Sequence, residues 1–409
     1  MRYASVTERL AGLGGAKWAV HARARSLSAA GRDILEFTIG EPDVPTPPAL
    51  IEAAAAAMRA GRTGYSNGRG EPGLLAALAA RYSARRGRNF GADQVICLPG
   101  TQTALYAVLM TLAEAGDAVL VGDPAYATYA GVIAATGARA VPVPLMPEHG
   151  FRMQAADLAA AIVPGARVLL LNTPHNPTGA VLRRADIAAL GAVAAAHDLW
   201  IVCDEVYEDL VFPGVPFASP LDDPALAERT VAVASISKSH AAPGFRSGWC
   251  VGPADFCDRL LPLAETMLFG NQPFIADMTA AAVAAPSPVA TGMATRFARR
   301  AALIRDRLDG VAGLRVHVPE AGMFALIDAR ATGMTGEGFA TALLETVGVA
   351  VMPGESFGAA LAGWVRMALT QDDARTAAGC DRIAAFAAAR PAEAPGGPPP
   401  GPRGVFVER

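Results

Sequence analysis

The sequence predicts an α/β fold: a large domain with a mainly parallel sheet flanked by helices, followed by a smaller α+β domain. Three observations predict it. Short runs that are apolar throughout recur from about residue 95 to 251, namely Val95 to Leu98, Ala118 to Val121, Ala138 to Val143, Val168 to Leu171, Trp200 to Cys203, Thr230 to Ala234 and Gly248 to Val251. Runs with no polar alternation describe strands buried on both faces. Helical stretches separate them, which is the pattern of crossovers between parallel strands. Beyond about residue 285 the character changes to a long Arg-rich helical stretch and shorter apolar runs.

Taken in order, residues 1–50 read as an arm joining the small domain, irregular and punctuated by Glu41-Pro42-Asp43 and Thr46-Pro47-Pro48, where proline restricts the backbone. Residues 51–284 form the large domain. Residues 285–390 form the small one, with strands at Leu314 to Val316, Phe324 to Ile327, Val349 to Val351 and Trp364 to Met367. The segment 391–409 is rich in Pro and Gly, cannot bury a core, and is expected to be disordered. There is no internal repeat.

Composition narrows the function. The 409 residues are 52% hydrophobic, ample for large cores, and the formal net charge of -3 offers neither a basic field for nucleic acid nor a charged face for a membrane. Five cysteines, odd in number and without a CxxC pair, indicate neither a disulfide framework nor a metal site. With no signal-peptide pattern and no apolar stretch of spanning length, the expectation is a soluble cytoplasmic protein acting on small molecules.

Lysine usage is the sharpest clue. Lys and Arg together number 35, yet lysine occurs only at Lys17 and Lys238. Arginine cannot give up its proton at working pH, so a residual lysine marks a place where a nucleophilic amine is needed. Lys17 reads as an exposed arm residue. Lys238 sits in Ser235-Ile236-Ser237-Lys238-Ser239, directly after an apolar run, with Arg246 downstream.

In parallel sheets ligands lie beyond the carboxyl ends of the strands, and the polar residues after each run fall there. Gly100-Thr101-Gln102 opens a helix read as Thr103 to Ala115, a seat for an anion on free backbone N–H groups. Asp123-Pro124-Ala125-Tyr126 brings an aromatic ring to the same edge, and Asn172 to Gly179 forms a dense turn that presents Asn176. Asp204-Glu205-Val206-Tyr207 ends a buried strand with an acid, which needs a partner such as a protonated ring nitrogen. Together these are the parts of a pyridoxal phosphate site.

The ordered set Asn-Pro-x-Gly, Asp-x-x-Tyr and Ser-x-Ser-Lys-x-x-x-x-x-Gly-x-Arg, spread between about Thr38 and Leu369, resembles the class I aminotransferases of fold type I, the aspartate aminotransferase group. The resemblance implies pyridoxal 5'-phosphate held as an internal aldimine on Lys238, which then shuttles the proton at the substrate Cα. It implies Asp204 on the pyridine nitrogen, Asn176 and Tyr207 on the ring oxygen, and Tyr126 on the ring face. Thr101, Gln102, Ser235, Ser237 and Arg246 would bind the phosphate, joined by Tyr65 from the other subunit of a homodimer. Arg366, Gly40 and Asn176 would bind the substrate, Arg366 and Gly40 at its carboxylate, these two brought together from opposite ends of the chain as the small domain closes. Tyr126 stands where many members have Trp. His175 precedes Asn176 where small polar residues are frequent, and it reads as a loop histidine near the site.

The activity so implied is ping-pong transamination between an L-amino acid and a 2-oxo acid, with aspartate and 2-oxoglutarate as the expected pair. β-Elimination on the same fold is the alternative. A regulatory protein with an aminotransferase-like half would need an N-terminal DNA-binding module, and the segment before the resemblance is too short and not basic enough for one.

Overall fold

Hydrophobic alternation within the strands sorts their side chains into separate cores. In the computed structural model, which describes residues 1–268 and 270–389, Val95–Leu98 sends Ile96 and Leu98 to one core and Val95 and Cys97 to another. Thr230–Ser235 does the same with Val231 and Val233 against Ala232 and Ala234. That is the period of two along a strand, and a strand buried on both sides needs helices on both sides. Helices Thr101–Leu112 and Ala254–Met267 cover one face, while Pro72–Arg86, Arg184–Ala196 and Pro273–Val283 cover the other.

The strands, in chain order, are β1 (Leu35–Glu36), β2 (Val95–Leu98), β3 (Ala118–Asp123), β4 (Arg139–Pro144), β5 (Ala166–Asn172), β6 (Trp200–Asp204), β7 (Thr230–Ser235) and β8 (Gly248–Val251). They continue with β9 (Arg315–His317), β10 (Phe324–Asp328), β11 (Val349–Ala350), β12 (Met352–Pro353) and β13 (Trp364–Ala368). A seven-stranded sheet has the order β2-β8-β7-β6-β5-β3-β4, parallel except at β8, which runs antiparallel to both neighbours. All seven expected runs are strands of this sheet. Its edge strand β4 is largely exposed, because only one neighbour and one covered face are available to it.

Several polar residues expected just past the strands are their last members: Asp123, Asn172, Asp204 and Ser235 end β3, β5, β6 and β7 on one edge. The antiparallel course of β8 places its first residue, Gly248, opposite both Ser235 and Leu98. Arg246, two residues earlier, therefore returns to that same edge.

A second sheet, β12-β13-β10-β9, is antiparallel and packs with helices Pro288–Leu308, Gly336–Val347 and Asp373–Ala388. The run from Val349 does not join it as a neighbour of β10. It pairs in parallel with β1 as β11, and the ladder continues from Phe37 N to Ala350 O and from Ala368 N to Phe37 O. Segment 35–39 is thus stitched to C-terminal strands. The segment 391–409, expected to be disordered, lies outside the described residues. No described helix is long and apolar enough to cross a membrane.

Candidate active site

The seat for an anion is built by close backbone approach. The helix expected to start at Thr103 starts at Thr101, so Thr101 and Gln102 occupy its first turn, where backbone N–H groups have no helical acceptor. Gly100 precedes it with φ 86, and a Cβ there would lie 2.3 Å from Arg246 Nη2. A Cβ on Gly248 would lie 2.6 Å from the Gly100 carbonyl carbon. Only glycine at both positions lets β8 and the helix start touch. Arg246 itself holds φ 49, and its Nη1 donates to Pro243 O at 2.9 Å. Ser235 Oγ accepts from Ser237 N at 3.3 Å, capping the short helix Ile236–Ser239 that carries Lys238. The Thr101 hydroxyl is buried with no protein partner, a donor waiting for an external oxygen.

Asp204 closes the opposite end. Its Oδ2 accepts from Tyr129 Oη at 2.7 Å and its Oδ1 from Val206 N at 3.1 Å. Burial pushes its carboxyl up to about 6, against the pull of those two donors. Asn172 fixes the neighbouring turn: its Nδ2 donates to Asp204 O at 2.9 Å and its Oδ1 accepts from Asn176 N at 2.8 Å. Asn176 is thereby aimed at Tyr207, with which it hydrogen bonds, and at Arg366, whose Nη1 donates to Asn176 Oδ1 at 3.0 Å. The Tyr126 ring stands edge-on to Tyr129, centroids 5.6 Å apart.

Lys238 Nζ donates to Gly40 O at 2.7 Å. Burial lowers its pKa to about 8, Glu41 opposes that shift, and the Arg366 and Arg246 charges assist it. Gly40 is there because a Cβ would lie 2.2 Å from Phe324 Cζ. Arg366, 2% exposed, is sandwiched by Phe324 and Phe357 with its guanidinium carbon 3.7 and 4.3 Å from the ring centroids. Its Nη2 donates to Thr38 O at 2.7 Å and its buried Nε has no protein partner. Arg366 and segment 38–40 are therefore side by side in a single hydrogen-bonded unit, and no closing motion is needed to bring them together.

Gly40, Thr101, Gln102, Tyr126, Asn176, Asp204, Tyr207, Ser235, Ser237, Lys238, Arg246 and Arg366 line one cavity of about 340 Å³. Tyr65 does not line it and is 94% exposed. His175 lies behind the site with Nδ1 2.8 Å from Thr178 Oγ1, and burial lowers its pKa to about 3, so the ring is neutral. The reading of Lys17 as an exposed arm residue is corrected: it is half-buried and its Nζ donates to Ala127 O at 3.0 Å, because segment 15–18 packs back onto the large sheet's side of the cavity. Sequence reasoning missed Tyr129, Asn172, Trp18 and Phe324, which also line the cavity. Asn172, last residue of a buried strand, was open to the same strand-end logic. Tyr129 lies three residues after Tyr126, yet no local pattern ties it to Asp204, 75 positions away.

The donor set fits pyridoxal phosphate. A buried orphan hydroxyl at a helix start, a glycine cradle under an arginine, a desolvated acid at the far end and a half-buried lysine between them match an anionic tail, a ring cation and an aldehyde. Fold and site together define a fold type I pyridoxal phosphate enzyme. The family model described as aminotransferase class I and II matches residues 32–383, and the chain belongs to that family, as a pyridoxal-phosphate-dependent transferase of the aspartate aminotransferase group. Among curated relatives, arginine–pyruvate transaminase of Pseudomonas aeruginosa is 44% identical over 95% of this chain and 98% of its own. Aspartate aminotransferase of Geobacillus stearothermophilus is 32% identical over 83% of this chain and 88% of its own. Among solved structures, aspartate aminotransferase from Thermus thermophilus with maleate matches with a TM-score of 0.87 at 30% identity, covering 94% of this chain and all of that one.

Proposed function

We propose that this aminotransferase takes the α-amino group of a basic L-amino acid, arginine foremost, and delivers it to pyruvate. The observation that carries this is the 44% identity along 95% of the chain to an arginine–pyruvate transaminase, against 29–34% to aspartate aminotransferases. Charge in the cavity supports it. Among the described residues of one chain the lining cations are Lys238, Arg246 and Arg366, each with a role below, and none of them is left for the side-chain carboxylate of aspartate. Glu41, next to Gly40 and exposed, gives a cationic side chain a counter-charge at that end.

In this reading the phosphate sits on Thr101, Gln102, Ser235, Ser237 and Arg246, joined by Tyr65 of the partner in a cytoplasmic homodimer. Bound pyridoxal phosphate supplies an aldehyde for the substrate amine and a ring that accepts the electron pair left when the Cα proton departs. Asp204, held by Tyr129, keeps its charge against the ring nitrogen proton. Asn176 and Tyr207 would hydrogen bond the ring oxygen, and Tyr126 would lie against the ring face. Lys238, whose pKa burial lowers to about 8, would hold the aldehyde and, once freed by the substrate amine, would carry the Cα proton. Arg366 has three guanidinium N–H groups beyond the two given to Asn176 and Thr38, and these bind the α-carboxylate. Two domains, 51–284 and 285–390 with 1–50 joined to the latter, carry these parts, a division supported by the hydrogen bonds from segment 35–39 to β11 and β13.

The test is a half-reaction panel. The holoenzyme is mixed with arginine, lysine, aspartate, alanine or phenylalanine, the visible cofactor band is followed, and pyruvate or 2-oxoglutarate is then added. Arginine should bleach the band fastest and pyruvate should restore it. Aspartate and 2-oxoglutarate turning over tenfold faster would replace the proposed pair with the one the aspartate relatives favour. Ammonia release with no amino group appearing on the oxo acid would mean elimination.

A further inference from the structure

Behind the wall that carries Asp204 and Tyr207 lies a buried charge cluster with no place in the roles assigned above. Helix Pro72–Arg86 ends on Arg81, Arg85 and Arg86, all directed at the residues that follow β6. Arg86 is the innermost, its side chain 3% exposed. Its Nη2 donates to Glu205 Oε2 at 3.0 Å and to Glu208 Oε1 at 2.8 Å, and its Nη1 lies 3.5 Å from Asp222 Oδ1. The guanidinium stands over the rings of Tyr82 and Phe217 at 5.7 and 5.4 Å. Glu205 is fully buried, and its other oxygen accepts from the Ser219 hydroxyl. Arg85 shares Glu208 and Asp209 from the outer side.

Glu205 and Glu208 bracket Tyr207, and Glu205 adjoins Asp204. The turn they form is short and closed by Glu208 N to Glu205 O at 2.8 Å. Neither carboxylate nor Arg86 lines the cavity, whereas Val206 and Tyr207, between the two, and Asp204, just before Glu205, do. A buried ion cluster is a poor source of stability, since well-packed apolar side chains do as well or better. What it supplies is geometry, because a guanidinium fork has a fixed plane and two carboxylates on it cannot move independently.

We propose that Arg86 is a positioning residue for the cofactor ring: by gripping Glu205 and Glu208 it fixes the turn that aims Asp204 and Tyr207 into the cavity. The proposal rests on the reading that those two residues meet the ring.

The experiment uses full-length enzyme stripped of cofactor and titrated with pyridoxal phosphate by tryptophan fluorescence. The pH dependence of the visible band and the Tm are read in parallel. Arg86→Lys keeps the charge but not the fork. Arg86→Met/Glu205→Gln removes the cation together with the fully buried acid, while Glu208 keeps Arg85 at 3.0 Å and the partly exposed Asp222 keeps the Ser219 N–H at 2.8 Å. Both variants should hold Tm near that of the parent while the Kd for pyridoxal phosphate rises about tenfold or more and the band's apparent pKa moves, as for outer partners of ligand-holding groups. Parental Kd and an unmoved band in either variant would overturn the proposal and leave Arg86 as a neutraliser of buried carboxylates. Asp204→Ala separates the two layers: if it binds pyridoxal phosphate as tightly as the parent, the underlying reading of Asp204 fails whatever Arg86 does.

Discussion

Asp204 has opposite effects with and without a cation beside it. In the protein alone its folded pKa is raised to about 6 by burial, above the ordinary value of 3.8. A raised acid costs nothing below about pH 4, where both states are protonated, and carries its full penalty above about pH 6, where folding must bury the charge. The gap corresponds to about 3 kcal/mol. Asp204→Asn in the cofactor-free protein should therefore be more stable than the parent at pH 8, with the gain fading towards pH 4. In the holoenzyme the sign should reverse, because the ring cation that Asp204 would pair with has lost its counter-charge. Denaturant titrations of both forms at the two pH values check this, and an Asn variant no more stable than the parent without cofactor at pH 8 would contradict the burial argument. Lys238, Asp204, Asn176 and Arg246 were legible as residues because chemistry selects their types and strand ends select their places. Tyr129 and Trp18 were not, since aromatic side chains are ordinarily packing and only the folded chain brings these two to the cavity.

At the scale of elements, the lesson lies in segment 35–40. Read along the chain it is a Pro-flanked arm. In the structure it is a strand and its extension, running between β11 and β13 and ending on the Gly40 carbonyl that receives Lys238. Two-residue strands leave no periodic trace, so neither β1 nor its partner could be paired from sequence. The same contacts make Gly40→Ala informative. The new methyl would drive Phe324 towards Arg366, which it already covers at 3.7 Å. We expect KM for the amino acid to rise about tenfold or more, a loss of roughly 1.4 kcal/mol or more in carboxylate binding. Steady-state kinetics with saturating pyruvate measures it, and an unchanged KM would show that the ring moves aside freely. The start of helix Thr101–Leu112 was misplaced by two residues for a related reason: Gly100 reads as a turn, and its part in helix entry depends on β8, nearly 150 positions later.

On the scale of the whole molecule, the arm is bolted to the C-terminal helices by buried ions. Asp43 accepts from Arg296 Nη2 at 2.8 Å and from Arg300 Nη1 at 2.8 Å, and Arg300 also holds Asp373 at 3.0 Å and Leu369 O at 2.9 Å. Asp43→Asn leaves a guanidinium that is 5% exposed facing a neutral amide. Arg300 keeps Asp373 as a counter-charge, so what is lost is the charge-assisted hydrogen bonding of Asp43, about 2 kcal/mol. Chemical denaturation of the holoenzyme should show a loss of that order, with KM for the amino acid rising as segment 36–43 loosens beside Arg366. Intact KM with lost stability would mean that the bolt serves the fold alone. The order of elements and the two-sheet plan were readable from runs of apolar residues. The pairing of an N-terminal segment with strands more than 300 positions away was not, because contacts at that separation have no local signature.

Both lysine amines are committed to backbone carbonyls, Lys17 to Ala127 and Lys238 to Gly40. With only these two and the exposed amino terminus at Met1, the chain offers few targets to amine-directed reagents. Borohydride reduction of the holoenzyme followed by digestion should mark a single internal peptide, and a lysine-selective acylating probe should report on the cofactor's arrival and departure with almost no background. A protein that spends its positive charge as arginine has, as a by-product, left its reactive amine individually addressable.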